Sequence, residues 1–225
     1  DGQNGTDGKD GQDGDSMFQS VTQDENYVYF TLADGTVIKI AKGESSNAQP
    51  NENDIIEFKD LAVKSALLKL GIDTTKDNEL SYGEAAMYKN PLKLENNTAI
   101  YSFEEFVYFT GVKTIGDYAF RGCSNLFEII LPENITSIGT GSFSGCSSLT
   151  SINIPESVTS IGGSAFNECS LLETVNIHNN ITSIGSGAFD SSSIRKLTYG
   201  TSVKYIGDMA FNYVPQMEEL NYLGT

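Results

Sequence analysis

The sequence predicts a mainly β protein with some α structure: a solenoid, preceded by a small β-meander and a helix–loop–helix cap. Three observations carry this. An Ile-Gly pair with a Phe five places after the Ile recurs at Ile115, Ile138, Ile161, Ile184 and Ile206, in steps of 23, 23, 23 and 22. A period in the twenties builds a solenoid, because each unit buries its apolar positions only by stacking on the next. Upstream lie β-rich runs separated by a turn signal, then two apolar segments flanking a polar, acidic loop.

Residues 1–16 form a Gly-x-x tract with Gly2, Gly5, Gly8, Gly11 and Gly14 in the collagen period. The tract has no Pro and five Asp, so it reads as a linker rather than a trimerising stalk. Residues 17–42 form the meander: Met17 to Thr22, Tyr27 to Leu32 and Thr36 to Ile40 are β-rich, and Asp34-Gly35 signals a hairpin. Residues 43–53 are polar and unpatterned, hence a second linker.

The cap spans 54–97, with one helix expected over Asp54 to Leu70 and another from Tyr82 to Lys89, stopping before Pro91. The loop between them opens with Asp73 and closes with Glu84, twelve residues in all. It resembles an EF-hand or dockerin-type calcium loop, with Asp73, Thr75 and Asp77 at positions 1, 3 and 5, the Glu79 carbonyl at 7 and Glu84 at 12. Thr75 replaces a usual carboxylate and Asn78 a usual Gly. The other reading of the same residues is structural: Ser81-x-x-Glu84 is a capping box, and the helical pair covers a solenoid edge that Phe103, Phe106 and Phe109 would otherwise expose. The first reading implies calcium as a cofactor, and the second needs none.

Residues 98–225 carry the repeats. Cys123, Cys146 and Cys169 share a column with Ser192 and Val214; Leu126, Leu149, Leu172, Ile194 and Met217 form the next; Ile129, Ile152, Val175, Leu197 and Leu220 follow three places on. All are small or apolar, hence core. The cysteines form a buried ladder rather than a metal or redox site, since equivalent solenoid positions stack in a row instead of converging. Their odd number also argues against a complete disulfide framework. His178 occupies the column of Pro132 and Pro155, which predicts a solvated turn histidine, and the Gly-rich strings such as Gly139-Thr140-Gly141 are turns.

This pattern, read in full as Cys146-Ser147-Ser148-Leu149-Thr150-Ser151-Ile152-Asn153-Ile154-Pro155 and then Val158-Thr159-Ser160-Ile161-Gly162, resembles the BspA-like leucine-rich repeat of bacterial surface proteins. The resemblance implies a right-handed leucine-rich-repeat stack, with its parallel sheet on the concave side and mostly non-helical returns. Gly5 to Gly11 together with Phe30 to Ile40 resemble an N-terminal module of exported bacterial proteins, some of them polysaccharide-degrading.

Charge and composition narrow the function. Thirty acidic against fourteen basic residues give a net charge of -16, split as -9 over 1–100 and -7 over 101–225, so nucleic acid is excluded as a partner. No run approaches the roughly 20 apolar residues of a transmembrane helix. With one His and no nucleophile–base–orienter set, the chain is not read as an enzyme. The register exposes Phe127, Thr150, Glu173, Arg195 and Glu218 in one column, Glu128, Ser151, Thr174, Lys196 and Glu219 in a second, and Ile130, Asn153, Asn176, Thr198 and Asn221 in a third. Six strands make a strip about 25–30 Å long, enough for a protein or an extended glycan. The expectation is a secreted or cell-surface interaction module of adhesive type, binding a host or bacterial surface protein or glycan. It is further expected to be lipid-anchored through a segment absent from this chain. The rival readings are a glycan-processing enzyme or its accessory, and a structural spacer.

Overall fold

The computed structural model describes residues 18–23, 27–32, 37–41, 50–214 and 218–222. The Gly-x-x tract, the Asp34-Gly35 turn, most of the second linker and Met217 lie outside the described residues. The chain divides into two compact units, residues 1–49 and 50–225.

In the first unit, β1 (Phe18–Gln23), β2 (Tyr27–Leu32) and β3 (Val37–Ala41) form an antiparallel sheet in sequence order. Phe18 pairs with Leu32, and a register shift follows before Ser20.

The second unit opens with the cap. Residues 54–60, expected to be helical, are extended instead: Ile55 bridges Ser81, and the Ile56 amide donates to the Leu80 carbonyl at 2.8 Å. Helix α1 (Leu61–Lys69) begins only after Asp60, whose carboxylate caps it by accepting from the Ala62 amide. Helix α2 (Tyr82–Met87) ends two residues earlier than expected, and Ser81 and Glu84 close it with a complete capping box. Residues 50–53 belong to this unit rather than to a linker, since the Glu52 carbonyl accepts the Gly83 amide at 2.8 Å.

The repeats then stack. One parallel sheet holds β5 (Thr114–Ile115), β7 (Ser137–Ile138), β8 (Ser160–Ile161), β10 (Ser183–Ile184) and β12 (Tyr205–Ile206), one strand per turn. The other face of each turn carries the Leu-x-x-Ile segments. There β4 (Ser102–Phe103) pairs with β6 (Glu128–Ile129), and β9 (Thr174–Ile177), β11 (Lys196–Tyr199) and β13 (Glu219–Tyr222) pair in order. The expected six-strand strip is therefore interrupted. The third turn contributes only the Ser151–Thr174 bridge, and Pro155 has no N–H to give where Gly200 donates to the Ile177 carbonyl at 2.8 Å.

The columns pack as the periodicity requires. Phe120, Phe143, Phe166, Phe189 and Phe211 stack face to face with centroids 5.2 Å apart and planes within 7° of parallel. The glycines after each Ile are obligatory for the same reason. A Cβ on Gly162 would meet the Gly139 carbonyl carbon and the Thr140 nitrogen at 2.6 Å, so the turns can approach only where no side chain intervenes. Phe103, Phe106 and Phe109 are buried, and one apolar core runs from Ile56 in the cap to Ala210. Ile206 departs from its column at 57% exposed, because no further described turn stacks on it.

His178 is a correction. It is 3% exposed rather than solvated, since its column faces the preceding turn. Its Nε2–H donates to the Pro155 carbonyl at 2.9 Å and its Nδ1 accepts the Asn180 amide at 3.3 Å, an assignment that follows from these partners.

Candidate functional site

Each exposed column starts from the pleat: Ile129, Ile152, Val175 and Leu197 point inward, so their neighbours point out. Phe127, Thr150, Glu173, Arg195 and Glu218 are exposed, as are Ile130, Asn153, Asn176 and Asn221. Thr198 is only half-buried, between the two classes.

The face is not uniform. At its first two turns Tyr101 and Phe127 stack with planes 12° apart and centroids 6.2 Å apart, and Ile130 lies beside them at 41% exposed. Tyr101 was not singled out by the repeat, because it precedes Phe127 by 26 residues rather than 23. The backbone register identifies it, since the Phe127 amide donates to the Tyr101 carbonyl at 2.9 Å. The third turn offers neutral Thr150, Ser151 and Asn153.

The last three turns neutralise themselves. Arg195 sits between Glu173, at 4.0 Å, and Glu218, at 3.6 Å, and Lys196 pairs with Glu219 at 3.3 Å. Asn221, and then Lys196, pull the Glu219 carboxyl below its ordinary range. The basic pair is therefore matched by its own neighbours, which makes it a poor centre for an acidic ligand. The apolar end of the face has no such internal partner.

The loop from Asp73 to Glu84 satisfies its carboxylates with its own donors. Glu84 Oε1 accepts from the Thr74 amide at 2.7 Å, the Thr74 hydroxyl at 2.9 Å and the Thr75 amide at 3.1 Å, while Oε2 accepts from the Ser81 amide at 3.0 Å. Partial burial alone would raise this carboxyl, but the amides of Ser81, Thr74 and Thr75 outweigh it and hold the group at about 2. Asp73 accepts from the amides of Lys76 and Asn78, and Asp77 from that of Glu79. Lys76 and Asn78 take positive φ, 63° each, to bring those amides round. Thr75 donates its hydroxyl to Asp73, and the Glu79 carboxylate pairs with Lys64. Among the described residues no three His, Cys, Asp or Glu side chains converge as a metal would need. In this arrangement Glu84 would have to release its amides before its carboxylate could hold calcium.

A family model for the BspA type leucine rich repeat region matches residues 97–218, in six copies. No curated protein matches the chain. Among solved structures, a T. pallidum leucine-rich repeat protein is similar at 30% identity over 47% of this chain and 50% of that one, with a TM-score of 0.45. A leucine-rich repeat protein from Bacteroides ovatus is similar at 25% identity over 89% of this chain and 40% of that one, with a TM-score of 0.48. A leucine rich cell surface protein from Faecalibacterium prausnitzii is similar at 20% identity over 90% of this chain and 54% of that one, with a TM-score of 0.53, a likeness of fold. The chain thus spans between 40% and 54% of the length of these three proteins.

Proposed function

Because the chain belongs to the BspA-type leucine-rich repeat family, we propose that it is a secreted or cell-surface interaction module that binds a protein or an extended glycan through the exposed Leu-x-x-Ile face. The observation that carries this reading is the solvent-facing Tyr101–Phe127 stack with Ile130, residues that flank the paired strands β4 and β6. Aromatic rings fixed on a rigid sheet supply contact area at little entropic cost, the property of interface anchors. The resemblance of the N-terminal segment to exported bacterial proteins supports a surface location. No helix among the described residues is long and apolar enough to cross a membrane.

The test is a protein and glycan array probed with the full chain and with Phe127→Ser. Partners retained by the wild type and lost by the variant, at equal melting temperature, support the face. Hydrolysis of an arrayed glycan would revive the enzyme reading, and no hit in either class would leave a spacer.

A further inference from the structure

Beside the aromatic end of that face, where the cap meets the first turn, lies a cavity of about 410 Å³ lined by Glu57, Lys59, Tyr82, Glu104, Glu105 and Tyr108 among others, with Ile130 at its border. Glu105 is only 5% exposed. Its Oε1 accepts the Lys59 amide at 2.8 Å, but its buried Oε2 has no hydrogen-bond partner. A buried carboxylate oxygen without a protein partner is costly, so this oxygen favours a ligand that brings a donor. Lys59 does not supply it, because its ammonium is paired with Glu104 at 2.5 Å. Glu57, exposed at the rim, takes part in no ion pair among the described residues, so the cavity carries the three carboxylates of Glu57, Glu104 and Glu105 against the single ammonium of Lys59.

We propose that this cavity receives a guanidinium group, the side chain of an arginine on a protein partner. Charge decides between donors: a neutral sugar hydroxyl would leave the negative excess of the cavity in place, whereas a cation offsets it. A metal ion is disfavoured because no set of ligands converges among the described residues. A planar guanidinium presents several N–H donors to separated oxygens and stacks on aromatic rings, and Tyr82 and Tyr108 supply those, edge to face at 4.6 Å. Ile130 belongs to both the cavity and the exposed face, so a partner lying on Phe127 reaches the cavity with an adjacent side chain. The proposal rests on the face reading for its partner, but the cavity itself is tested without one.

Methylguanidinium, methylammonium and methyl glucoside are titrated in turn into the isotope-labelled full chain, and the amide signals of Lys59 and Glu105 are followed. Methylguanidinium is expected to shift both saturably, more tightly than methylammonium. Glu105→Gln keeps an oxygen for the Lys59 amide and should weaken binding at least about tenfold, as loss of a hydrogen-bonded charge does. Glu57→Gln, at an exposed position, should weaken it severalfold and keeps the test valid if the buried variant fails to fold. Absence of a saturable shift, equal affinity in wild type and variants, tighter methylammonium, or the same shifts with methyl glucoside would each overturn the proposal. Saturation here with an unaffected Phe127→Ser array would sink the face reading and leave the cavity standing.

Discussion

The Cys146 thiol donates to the carbonyl oxygen of Phe120, one turn back in the stack, at 3.1 Å. Cys169 repeats the contact with Phe143 at 3.2 Å, and Cys123 makes it with Leu94 at 3.1 Å. Where the column changes to serine, Ser192 turns to its own turn and donates to the Phe189 carbonyl. The cysteines thus fill space and bond successive turns to one another. Cys146→Ala should lose about 1–2 kcal/mol in denaturant unfolding, through cavity formation. A variant as stable as wild type would show that the thiol contributes nothing.

Burial raises all three thiols, pushing Cys123 up to about 11 and Cys169 up to about 12 from an ordinary 9.0, with Cys146 raised further. A group whose folded value is raised contributes stability that is present below 9 and lost as pH climbs through the folded values. Urea unfolding between pH 8 and about 11.5 should therefore lose stability more steeply in wild type than in the triple Cys→Ala variant. Parallel curves would place the thiols in contact with water. Native protein should also react slowly with a thiol reagent, and fast only once unfolded.

Glu84 has the opposite sign. Its folded value of about 2 lies below an ordinary 4.5, so its contribution is present above 4.5 and disappears as pH falls toward 2. Glu84→Gln should melt lower than wild type at pH 7 and converge with it near the acid end. Millimolar calcium and chelator should give superimposable melting curves, because the loop amides already occupy the carboxylate. A calcium-dependent rise that Glu84→Gln abolishes would restore the cation-loop reading.

Inward and outward residues on adjacent turns of one face should behave oppositely. Val175→Asp places an unpaired carboxylate where the side chain is 1% exposed, and should unfold the array. Arg195→Ala breaks only exposed pairs, and should cost no more than about 1 kcal/mol, a difference that added salt erases. A large, salt-insensitive loss at Arg195 would mean that the Glu173 and Glu218 contacts hold the sheet.

Asp60 joins the cap to the stack. Its carboxylate, 1% exposed, accepts the amides of Ala62 at 2.8 Å, Tyr101 at 2.7 Å and Ser102 at 3.3 Å. Asp60→Ala strands three donors and should cost about 3 kcal/mol or more, with faster hydrogen exchange over α1. Asp60→Asn should cost less. Equal small losses would limit its role to capping the helix.

The repeat was legible because a period of 23 aligns every turn with the next, so one register assigns Leu149, Ile152 and Phe143 to the core and Thr150 and Asn153 to solvent. Periodicity can be read along the chain, and the solenoid, the inward columns and the thiol ladder follow from it. It says nothing where the period fails. Tyr101 and Glu105 lie in the irregular first turn, and Asp60 lies 41 residues from the Tyr101 amide that it accepts, so no spacing rule pairs them.

Stacking itself decided the rest. His178 is buried because Pro155 lies one turn beneath it. Tyr118, Ser164 and Met209 adopt positive φ, between 52° and 59°, because their turns must superimpose on those where Gly141 and Gly187 take the same conformation freely. Arg195 is neutralised by Glu173 and Glu218, residues 22 and 23 positions away that the turn spacing brings alongside. In the Leu-x-x-Ile segments the inward column at Ile129, Ile152, Val175 and Leu197 was readable from the residues, since it depends on position within one turn. Which outward residues are already matched, and which remain open to a partner, emerges once the turns are stacked, because it depends on contacts between them.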